Sequence, residues 1–440
     1  MMVAPLLQPD LREVVDPNGI PRIDLPRVVV VGCGFAGLKF IKRLNSRNYQ
    51  IVLFDKNNFH TFQPLMYQVA SSGLEPDSIV YPIRKLFNNK KNFHFRLTDV
   101  TNVDMEKKTV STTIGSIDYD FLVIATGATT NFFKLSNIER FSFTMKSLRE
   151  SLDLRSIILQ NFESALNTTD IKVRERLMNF VIVGAGATGV ELAGALAELK
   201  KKILPKDYPD LDIRSMQIHV IEAADRVLPS MSSMSSEKAL AALKAMDINI
   251  WLNTFVQDFD GKKVTTSEGD FFTETLIWSA GVQGNPLNNF ESHLNQSKRI
   301  ETNEIGQIEG RENVFAIGDV ASIQTIAEGK GHAMLASVAE QQGRHLAKNL
   351  NALAKGKSMT GFRYKDKGTM ATIGRNRAVV DLPFISFGGF FAWVVWMFLH
   401  LMLLVDFRNR LIVFVNWAWN YVSYDRGLRL IIRKGPNREN

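Results

Sequence analysis

Two glycine-rich loops of the same design place the strongest constraint on how this chain can fold. The first occupies residues 31–37, VGCGFAG, and the second residues 183–189, VGAGATG. Each follows a β-branched run and precedes a helix-forming stretch, which predicts a β–α–β unit in both places. In such a unit the glycines permit a tight turn, a close approach to a pyrophosphate and close helix packing, and the helix N-terminus attracts the phosphates. Two loops predict that the chain binds two dinucleotides and transfers electrons between them. The alternative is a single cofactor-binding domain together with a degenerate copy of that domain.

Each unit also carries an acid at the end of its second predicted strand. Asp55 follows the predicted strand 50–54, and Glu222 follows the predicted strand 218–221. An acid at this place accepts hydrogen bonds from ribose hydroxyls and repels a 2′-phosphate, so the second unit is expected to prefer NADH. Arg226 lies four residues further on, and because its positive charge can attract a 2′-phosphate, NADPH remains an alternative.

The pattern continues into a partial internal repeat. Strands ending in small residues are predicted at 121–128 and at 275–282, one for each unit. A further strand at 313–320 ends in Gly318-Asp319, and a short acid at a strand end can hold the ribitol and phosphate of a flavin. A long helix is predicted at 333–350.

The composition excludes several kinds of reaction and binding partner. The chain has 440 residues, which is enough for two or three domains. Its net charge is +8, but the sequence shows no nucleic-acid-binding signature that would explain this charge. Cys33 is its single cysteine. That excludes an intrachain disulfide, a redox dithiol, thiol-based sulfide oxidation and a cysteine-ligated metal cluster, and no metal site is predicted.

The C-terminal part changes character. Residues 382–405 carry no charge, and a second apolar stretch follows at 411–422. Pro383, Gly388 and Gly389 interrupt the first stretch, and tryptophan and arginine are frequent, which favours a helix pair docked on an anionic membrane surface. The alternatives are a membrane span and a buried dimer interface.

Three polar positions have more than one interpretation. Glu191, assigned to the first turn of its helix, is either an acid that complements the helix dipole or a carboxylate beside nicotinamide and flavin that relays a proton. His60 and His400 are expected to be structural. The segment 57–70, rich in aromatic and amide side chains, could form the wall of a site for a planar ring.

Several segments together resemble a known family. Residues 59–70, 184–194, 318–320 and 370–375, with the tryptophan-rich tail from Phe391, resemble type II NADH dehydrogenases. These are single-chain, non-pumping NADH:quinone oxidoreductases of respiratory membranes. The resemblance implies an α/β fold with two Rossmann-type dinucleotide-binding domains, the NADH domain inserted in the FAD domain, and a C-terminal helical membrane-docking region.

The resemblance also implies a division of the chain. Turn signals at 16–19 favour a loose segment before the first strand. The five segments are then an N-terminal leader at 1–26, the first part of the FAD domain at 27–145, the NADH domain at 146–284, the second part of the FAD domain at 285–380, and membrane-associating helices at 381–440.

The site residues follow from the same resemblance. Tightly bound FAD is expected at Gly32, Gly34, Phe35, Ala36, Gly37, Asp55, Lys56, Val100, Ala125, Thr126, Gly127, Gly318, Asp319 and Val338. NADH is expected at Gly184, Gly186, Ala187, Thr188, Gly189, Glu222, Ala280 and Gly281. The implied catalytic residues are Glu191 near the nicotinamide, Gln341, and Lys367 near the flavin–quinone region.

The implied quinone motif departs from the family pattern. The family's Ala-Gln-x-Ala-x-Gln corresponds here to residues 336–341, where Gln341 is kept but Ser337 replaces the first glutamine. A serine is shorter and offers no amide, so the contacts or the preference for the quinone head group are expected to differ.

The resemblance implies an activity and a location. NADH passes a hydride to FAD, and a membrane quinone receives two electrons without proton pumping. The protein is expected to lie on the cytoplasmic face of the cell inner membrane as a peripheral, monotopic homodimer that binds no nucleic acid. The alternatives are a soluble NAD(P)H-dependent ferredoxin- or rubredoxin-type reductase and a non-catalytic flavoprotein redox sensor.

Overall fold

The computed structural model describes residues 16–324, 331–405, 407–423 and 428–431. The β-strands of this part of the chain are short and distributed along its length. They are β1 (Arg27–Val31), β2 (Gln50–Asp55), β3 (Phe59–Thr61), β4 (Val80–Pro82), β5 (Phe93–Leu97), β6 (Val100–Asp104), β7 (Thr109–Thr112), β8 (Gly115–Asp118), β9 (Phe121–Ile124), β10 (Ala128–Thr130), β11 (Asn179–Val183), β12 (Gln217–Ile221), β13 (Asn249–Trp251), β14 (Val256–Phe259), β15 (Lys263–Thr266), β16 (Gly269–Phe272), β17 (Thr275–Trp278), β18 (Val282–Gly284), β19 (Ile300–Thr302), β20 (Val314–Ala316), β21 (Ala321–Ile323), β22 (Thr369–Thr372), β23 (Ala378–Leu382) and β24 (Ile385–Gly389).

The helices differ widely in length. The α-helices are α1 (Phe35–Arg43), α2 (Met66–Ala70), α3 (Ile83–Leu86), α4 (Ser136–Phe141), α5 (Leu148–Leu166), α6 (Ile171–Met178), α7 (Ala187–Lys202), α8 (Leu204–Asp207), α9 (Ser233–Lys244), α10 (Ala336–Leu353), α11 (Phe390–Leu403) and α12 (Phe407–Ser423). Short 3₁₀ helices span Gln63–Leu65, Pro76–Ser78, Ile213–Ser215 and Glu291–His293. Helix α10 begins at residue 336 rather than at the predicted 333, because Leu335 is still extended.

The chain forms two compact units. The first unit comprises Met1–His60, Pro82–Thr129 and Gln283–Lys365. The second comprises Thr61–Tyr81, Thr130–Val282 and Asp366–Asn440. The five segments implied by the family resemblance stay a prediction.

The first unit is built on a five-stranded parallel sheet in the order β20-β9-β1-β2-β5. Strand β1 is the β-branched run before the first loop, and its side chains are buried throughout, as expected of a central parallel strand. Helix α1 packs against α10 at very close range. A Cβ atom added at Gly343 would lie 2.2 Å from the carbonyl oxygen of Ala36, so this contact requires glycine.

The second unit repeats this architecture with a four-stranded parallel sheet, β13-β12-β11-β17. Each parallel sheet is accompanied by a three-stranded antiparallel sheet, β6-β7-β8 in the first unit and β14-β15-β16 in the second. The predicted repeat and the α/β class are thus confirmed, and the repeat extends further than predicted because it includes these antiparallel sheets.

The described part of the predicted leader, residues 16–26, is not loose. Ile20 is fully buried in the core of the first unit. The Arg96 side chain donates hydrogen bonds to the carbonyl oxygens of Asn18 at 2.8 Å and Gly19 at 2.7 Å. One buried apolar side chain and these charge-assisted bonds hold the segment in place.

The C-terminal part contains the predicted helix pair, α11 and α12, after a three-stranded antiparallel sheet, β22-β23-β24. The start of the apolar stretch is strand rather than helix, since β24 runs to Gly389, whose φ of +101° ends it. Among the described helices, none combines the length and apolar character that crossing a membrane requires.

Candidate functional site

The first glycine-rich loop has the geometry of a phosphate cradle. Gly32 has a φ of +99°, and a Cβ there would lie 2.4 Å from the carbonyl oxygen of Ala125. A Cβ at Gly37 would lie 2.0 Å from the Gly32 carbonyl oxygen. A Cβ at Gly34, in contrast, would meet no described atom within 4 Å. The loop is therefore closed on its protein side and open on the side where a pyrophosphate would approach, which fits a dinucleotide.

The second loop reproduces these features. Gly184 has a φ of +101°, and a Cβ there would lie 2.7 Å from Cα of Ala280. A Cβ at Gly189 would lie 1.9 Å from the Gly184 carbonyl oxygen, whereas one at Gly186 would reach no described atom within 4 Å. Two intact cradles are present, which removes the interpretation of one as a degenerate copy.

Asp55 is bound to the first loop. Its Oδ2 accepts a hydrogen bond from the Cys33 N–H at 2.6 Å, and its Oδ1 accepts one from the Asn57 N–H at 2.7 Å. Burial raises the pKa of Asp55, and these two N–H donors oppose the rise. Each carboxylate oxygen keeps a second lone pair, so the group can also accept bonds from ribose hydroxyls.

Glu222 is bound to the second loop in the same manner. Its Oε2 accepts a hydrogen bond from the Ala185 N–H at 2.6 Å, and its Oε1 accepts one from the Ala224 N–H at 2.9 Å. Arg226 is the cation that could attract the 2′-phosphate of NADPH. Its guanidinium donates a hydrogen bond to the Pro229 carbonyl oxygen at 3.0 Å.

A third part of the first unit lies around Gly318, at the carboxyl end of β20. Its N–H donates to the Gln342 side-chain oxygen at 2.7 Å, and a Cβ there would lie 2.9 Å from Cβ of Ala36. The Gln342 amide nitrogen is buried without a hydrogen-bond partner among the described residues. Burial lowers the pKa of Arg299, and the negative charge of Asp319 opposes this fall. Gln342 was missed in the sequence, where it follows the motif residue Gln341.

The predicted cofactor residues gather at matching strand ends. In the first unit Asp55 ends β2, and the loop, Ala125–Gly127 and Gly318-Asp319 follow β1, β9 and β20. These are four neighbouring parallel strands. Phe35 and Ala36 begin α1, and Val338 is buried in the first turn of α10. Lys56 is exposed, and Val100 is the first residue of β6. In the second unit Ala187 and Thr188 begin α7, and Ala280 and Gly281 follow β17. Ligands bind at such carboxyl ends in parallel sheets.

Glu191 is not in the first turn of its helix. Helix α7 starts at Ala187, so Glu191 lies in the second turn, where a dipole role weakens. Its side chain is buried, and burial raises its pKa to about 8. The Thr372 N–H, 3.4 Å from Oε1, opposes the rise. Trp396 opposes it more weakly, although its indole N–H has no partner at hydrogen-bond geometry within the described ranges.

Glu191 lines a cavity of about 120 Å³ within the second unit. One wall is largely polar and comes from α7, the end of α2 and the segment after β22; the other is aromatic and comes from α11 and α12. The lining residues are Tyr67, Gln68, Ser71, Gly73, Glu191, Ala195, Glu198, Lys202, Ile203, Thr372, Gly374, Arg375, Trp393, Trp396, Met397, Trp417 and Tyr421. At its edge the Arg375 guanidinium lies 4.0 Å from the ring centroid of Tyr421.

Both histidines are packed in the protein interior, as expected. The Nδ1 atoms of His60 and His400 lie at hydrogen-bond distance from the carbonyl oxygens of Cys33, 2.9 Å, and Trp396, 2.8 Å. Burial lowers the pKa of each imidazole to about 4, so both are neutral at pH 7. The His400 ring stacks on Trp396 at a centroid distance of 4.2 Å.

The residues of the quinone motif contact a single segment of the first unit. The Ser337 hydroxyl lies 3.0 Å from the Tyr364 hydroxyl. The Gln341 amide donates to the Lys365 carbonyl oxygen at 2.9 Å and accepts from its N–H at 3.1 Å. Lys367, in the second unit, is exposed. The catalytic and quinone-binding roles of these residues stay predictions.

The sequence did not single out the aromatic and amide residues of the cavity. Gln68 lies in the segment 57–70, whose aromatic and amide composition indicates a wall for a planar ring without indicating where that wall lies. Trp396 and Trp417 belong to the tryptophan-rich tail, for which the sequence indicates only membrane docking. Their place beside Glu191 depends on how α11 and α12 fold back, which no local pattern encodes.

Family comparisons agree with this geometry. Residues 26–343 match the pyridine nucleotide-disulphide oxidoreductase family, and residues 367–423 match the NDH2 C-terminal domain. The fold and the two cradles therefore define a pyridine nucleotide-disulphide oxidoreductase. Within that class the chain belongs to the type II NADH:quinone oxidoreductase family, which confirms the resemblance seen in the sequence.

The relatives support the narrower assignment. The type II NADH:quinone oxidoreductases Ndh and NdhA of Mycobacterium tuberculosis are 32% and 33% identical to the chain over 91% of its length, and the matches span 89% and 88% of those proteins. The structure of NDH2 from Plasmodium falciparum in complex with NADH superposes with a TM-score of 0.85 at 21% identity, over 93% of this chain and 100% of that one. That likeness shows the fold.

Disulfide chemistry does not extend to this member of the class. Cys33 is the single cysteine of the sequence and is buried. Burial raises the pKa of its thiol well above the usual range, with the Asp55 carboxylate adding to the rise. A neutral, inaccessible thiol is a poor nucleophile. The sequence therefore offers no intrachain disulfide as an electron carrier.

Proposed function

We infer that this protein is an NADH:quinone oxidoreductase that uses FAD and does not pump protons. The observation that carries this conclusion is the presence of two complete dinucleotide cradles in a chain that is 32% identical to a type II NADH:quinone oxidoreductase over nearly its full length. When bound, FAD supplies the chemistry that converts a hydride from NADH into two electrons for a quinone. Family membership favours this function over a ferredoxin-type reductase or a redox sensor.

We propose a division of labour between the two cradles. The loop at 31–37 and Asp55 hold the pyrophosphate and ribose of FAD, and Gly318 and Gln342 hold its remaining polar part. The loop at 183–189 and Glu222 hold NADH, because the carboxylate accepts bonds from a 2′-hydroxyl and repels a 2′-phosphate. Glu222 already accepts the Ala185 N–H, so nucleotide recognition and loop shape depend on one side chain.

We further propose that Glu191 supplies a proton to the quinone. With a pKa of about 8, its buried carboxyl is protonated at pH 7 and can donate. The cavity beside it has aromatic side chains that can pack against a planar ring and polar groups that can bind carbonyl oxygens. We propose that the quinone head group enters this cavity. Ser337, Gln341 and Lys367 remain candidates for further contacts.

The C-terminal part is proposed to dock on the membrane surface. Apolar side chains of the β23–β24 turn and of α11 and α12 are exposed, with Phe384 at 99%. Others are Ile385, Phe390, Phe391, Phe398, Leu411 and Phe414. Such a surface suits an interfacial position, and the net charge of +8 suits anionic lipid. We propose a peripheral, monotopic homodimer on the cytoplasmic face of the cell inner membrane.

An anaerobic titration tests the function. The full-length protein loaded with FAD is reduced with one equivalent of NADH, and a menaquinone or ubiquinone analogue is then added. We expect the flavin absorbance to be lost with NADH and recovered with quinone. Reduction by NADH without recovery on adding either quinone would contradict the proposed acceptor.

A further inference from the structure

A hydrogen-bond chain runs along the wall of the cavity described above. The indole N–H of Trp417, on α12, donates to the Gln68 side-chain oxygen at 2.9 Å. The Gln68 amide nitrogen donates to the hydroxyl oxygen of Tyr67 at 2.9 Å. All three side chains line the same cavity as Glu191. Trp417 is thus connected to Tyr67 through one amide.

The chemistry of the three groups gives this chain a single direction. An indole N–H can only donate, so the side-chain oxygen of Gln68 must face Trp417. The amide NH₂ must then face Tyr67, whose oxygen accepts. The hydroxyl hydrogen of Tyr67 is consequently directed away from Gln68. Without the indole N–H, the amide could turn over and present its oxygen to Tyr67, which would reverse the hydroxyl.

Aromatic packing holds the members of the chain at this spacing. The ring of Trp396 lies 5.9 Å from Trp417 and 6.5 Å from Tyr67, measured between centroids. Tyr67 is 6% exposed, so few other positions are open to its ring. A phenylalanine at position 417 would preserve most of the ring packing and remove only the donor, which separates the two contributions experimentally.

We propose that Trp417 is a positioning residue for quinone binding: through Gln68 it directs the Tyr67 hydroxyl hydrogen toward a carbonyl oxygen of a quinone in the cavity. Quinone oxygens accept hydrogen bonds and do not donate them, so the direction of the hydroxyl decides whether the contact is attractive. The proposal rests on the proposed function, since it requires a quinone in this cavity. It also assigns α12 a role in substrate recognition besides docking.

The test is a comparison of two electron acceptors in the full-length protein loaded with FAD and purified in detergent. Trp417→Phe is assayed with NADH and a short-chain ubiquinone analogue, and separately with ferricyanide, a small anion used as an acceptor without carbonyl groups. We expect the KM for the quinone to rise about three- to tenfold, the range that loss of one neutral hydrogen bond covers. The KM for NADH and the ferricyanide rate should stay at the wild-type level.

Two further variants separate positioning from packing. Tyr67→Phe should raise the quinone KM by a similar factor. The double variant Trp417→Phe with Tyr67→Phe should be no worse than Tyr67→Phe alone, because both changes remove the same contact. Trp419→Phe is the matched control: it removes an indole N–H from the same helix at a position that is 65% exposed and outside the cavity lining, and it should leave the quinone KM unchanged.

The outcomes are distinct. An unchanged quinone KM in Trp417→Phe, or an additive loss in the double variant, overturns the proposal. If Trp417→Phe does not fold, an unchanged quinone KM in Tyr67→Phe overturns it independently. Failure of the proposed function has another signature, because the wild-type protein would then reduce ferricyanide with NADH and leave the quinone untouched.

Discussion

The two β–α–β units share a cradle and differ in the side chain that follows it. Lys39 and Glu191 stand at the same place, seven residues after the first glycine of their loops. Lys39 forms an ion pair with Glu340, with Nζ 3.1 Å from Oε1. Glu191 is buried, pairs with no cation among the described residues, and has a pKa of about 8. The repeat thus places a neutralised structural pair in one unit and a proton-carrying acid in the other.

The helices that carry these residues differ accordingly. Helix α1 has nine residues and lies against α10. Helix α7 has sixteen, and four of its side chains, Glu191, Ala195, Glu198 and Lys202, line the cavity at intervals of three or four residues. Such spacing places side chains along one face of a helix. The two units therefore share a cradle and differ in the length of the helix that follows it and in the side chains that this helix carries.

The largest expected effect comes from filling the two cradles. Gly34 and Gly186 both have a φ of −69°, which valine tolerates, and an added Cβ meets no described atom within 4 Å. Gly34→Val should therefore fold but lose FAD, measured as the ratio of flavin to protein absorbance. Gly186→Val should keep FAD and raise the KM for NADH by about 100-fold, since the side chain occupies the place of the pyrophosphate.

Thermal unfolding of the two variants with their flavin content provides the control. Each apoprotein should unfold within a few degrees of the wild-type apoprotein, because neither valine enters the core. Loss of FAD from Gly186→Val, with normal FAD in Gly34→Val, would reverse the assignment of the two cradles.

The next largest effect concerns Glu191. Replacing it by glutamine preserves shape and removes the proton, and we expect kcat with quinone to fall about 100-fold, the lower range for loss of a general acid. Ferricyanide reduction should be nearly unchanged. Lys39→Met is the matched change in the other unit, and it should leave both rates near the wild-type level, because Lys39 forms an ion pair with Glu340 within the first unit and has no proposed part in proton transfer.

The pH profile of quinone reduction sharpens this test. Burial raises the pKa of Glu191, so the carboxyl holds its proton at pH 7 and loses it as the pH rises through about 8. Quinone reduction by the wild-type protein should decline over that interval, and Glu191→Gln should show no decline there. An identical profile in the two proteins would assign the proton donor to another group.

A smaller effect is expected at the ribose-binding acid of the second unit. Glu222→Arg replaces a carboxylate that repels a 2′-phosphate with a cation that attracts it, and we expect the ratio of kcat/KM for NADPH over NADH to rise about tenfold or more. Glu222→Gln is the control, because it keeps an acceptor for the Ala185 N–H. If both variants show the wild-type ratio, the ribose is not recognised by this side chain.

Local patterns were sufficient for much of this molecule. The strand at Arg27–Val31, the two loops, the acids at their strand ends and the helix pair at the C-terminus follow from β-branched runs, glycine spacing and apolar stretches. The three-stranded sheets that complete each repeat were missed because their strands are four or five residues long and alternate weakly.

The cavity could not be predicted from the sequence. Gln68 and Trp417 are separated by 349 positions, and their contact depends on the packing of α12 on the second unit. The sequence also places Glu191 wrongly, in the first turn of α7 rather than the second. This difference of one turn matters because a carboxyl in the first turn complements the helix dipole, whereas Glu191 in the second turn is buried. Such features depend on tertiary packing, for which hydrophobic periodicity carries no signal.

The smallest expected effect tests whether the first unit also influences quinone choice. Ser337 stands where the family has glutamine, and its hydroxyl contacts Tyr364 at 3.0 Å. Ser337→Gln restores an amide and displaces that contact, so we expect the ratio of kcat/KM for menaquinone and ubiquinone analogues to change about threefold. Ser337→Ala removes the hydroxyl without adding an amide and is the control. If the ratio changes in Ser337→Gln and not in Ser337→Ala, a residue of the first unit contacts the quinone. If the ratio is unchanged in Ser337→Gln and the quinone KM is raised in Tyr67→Phe, the quinone is recognised by the cavity of the second unit.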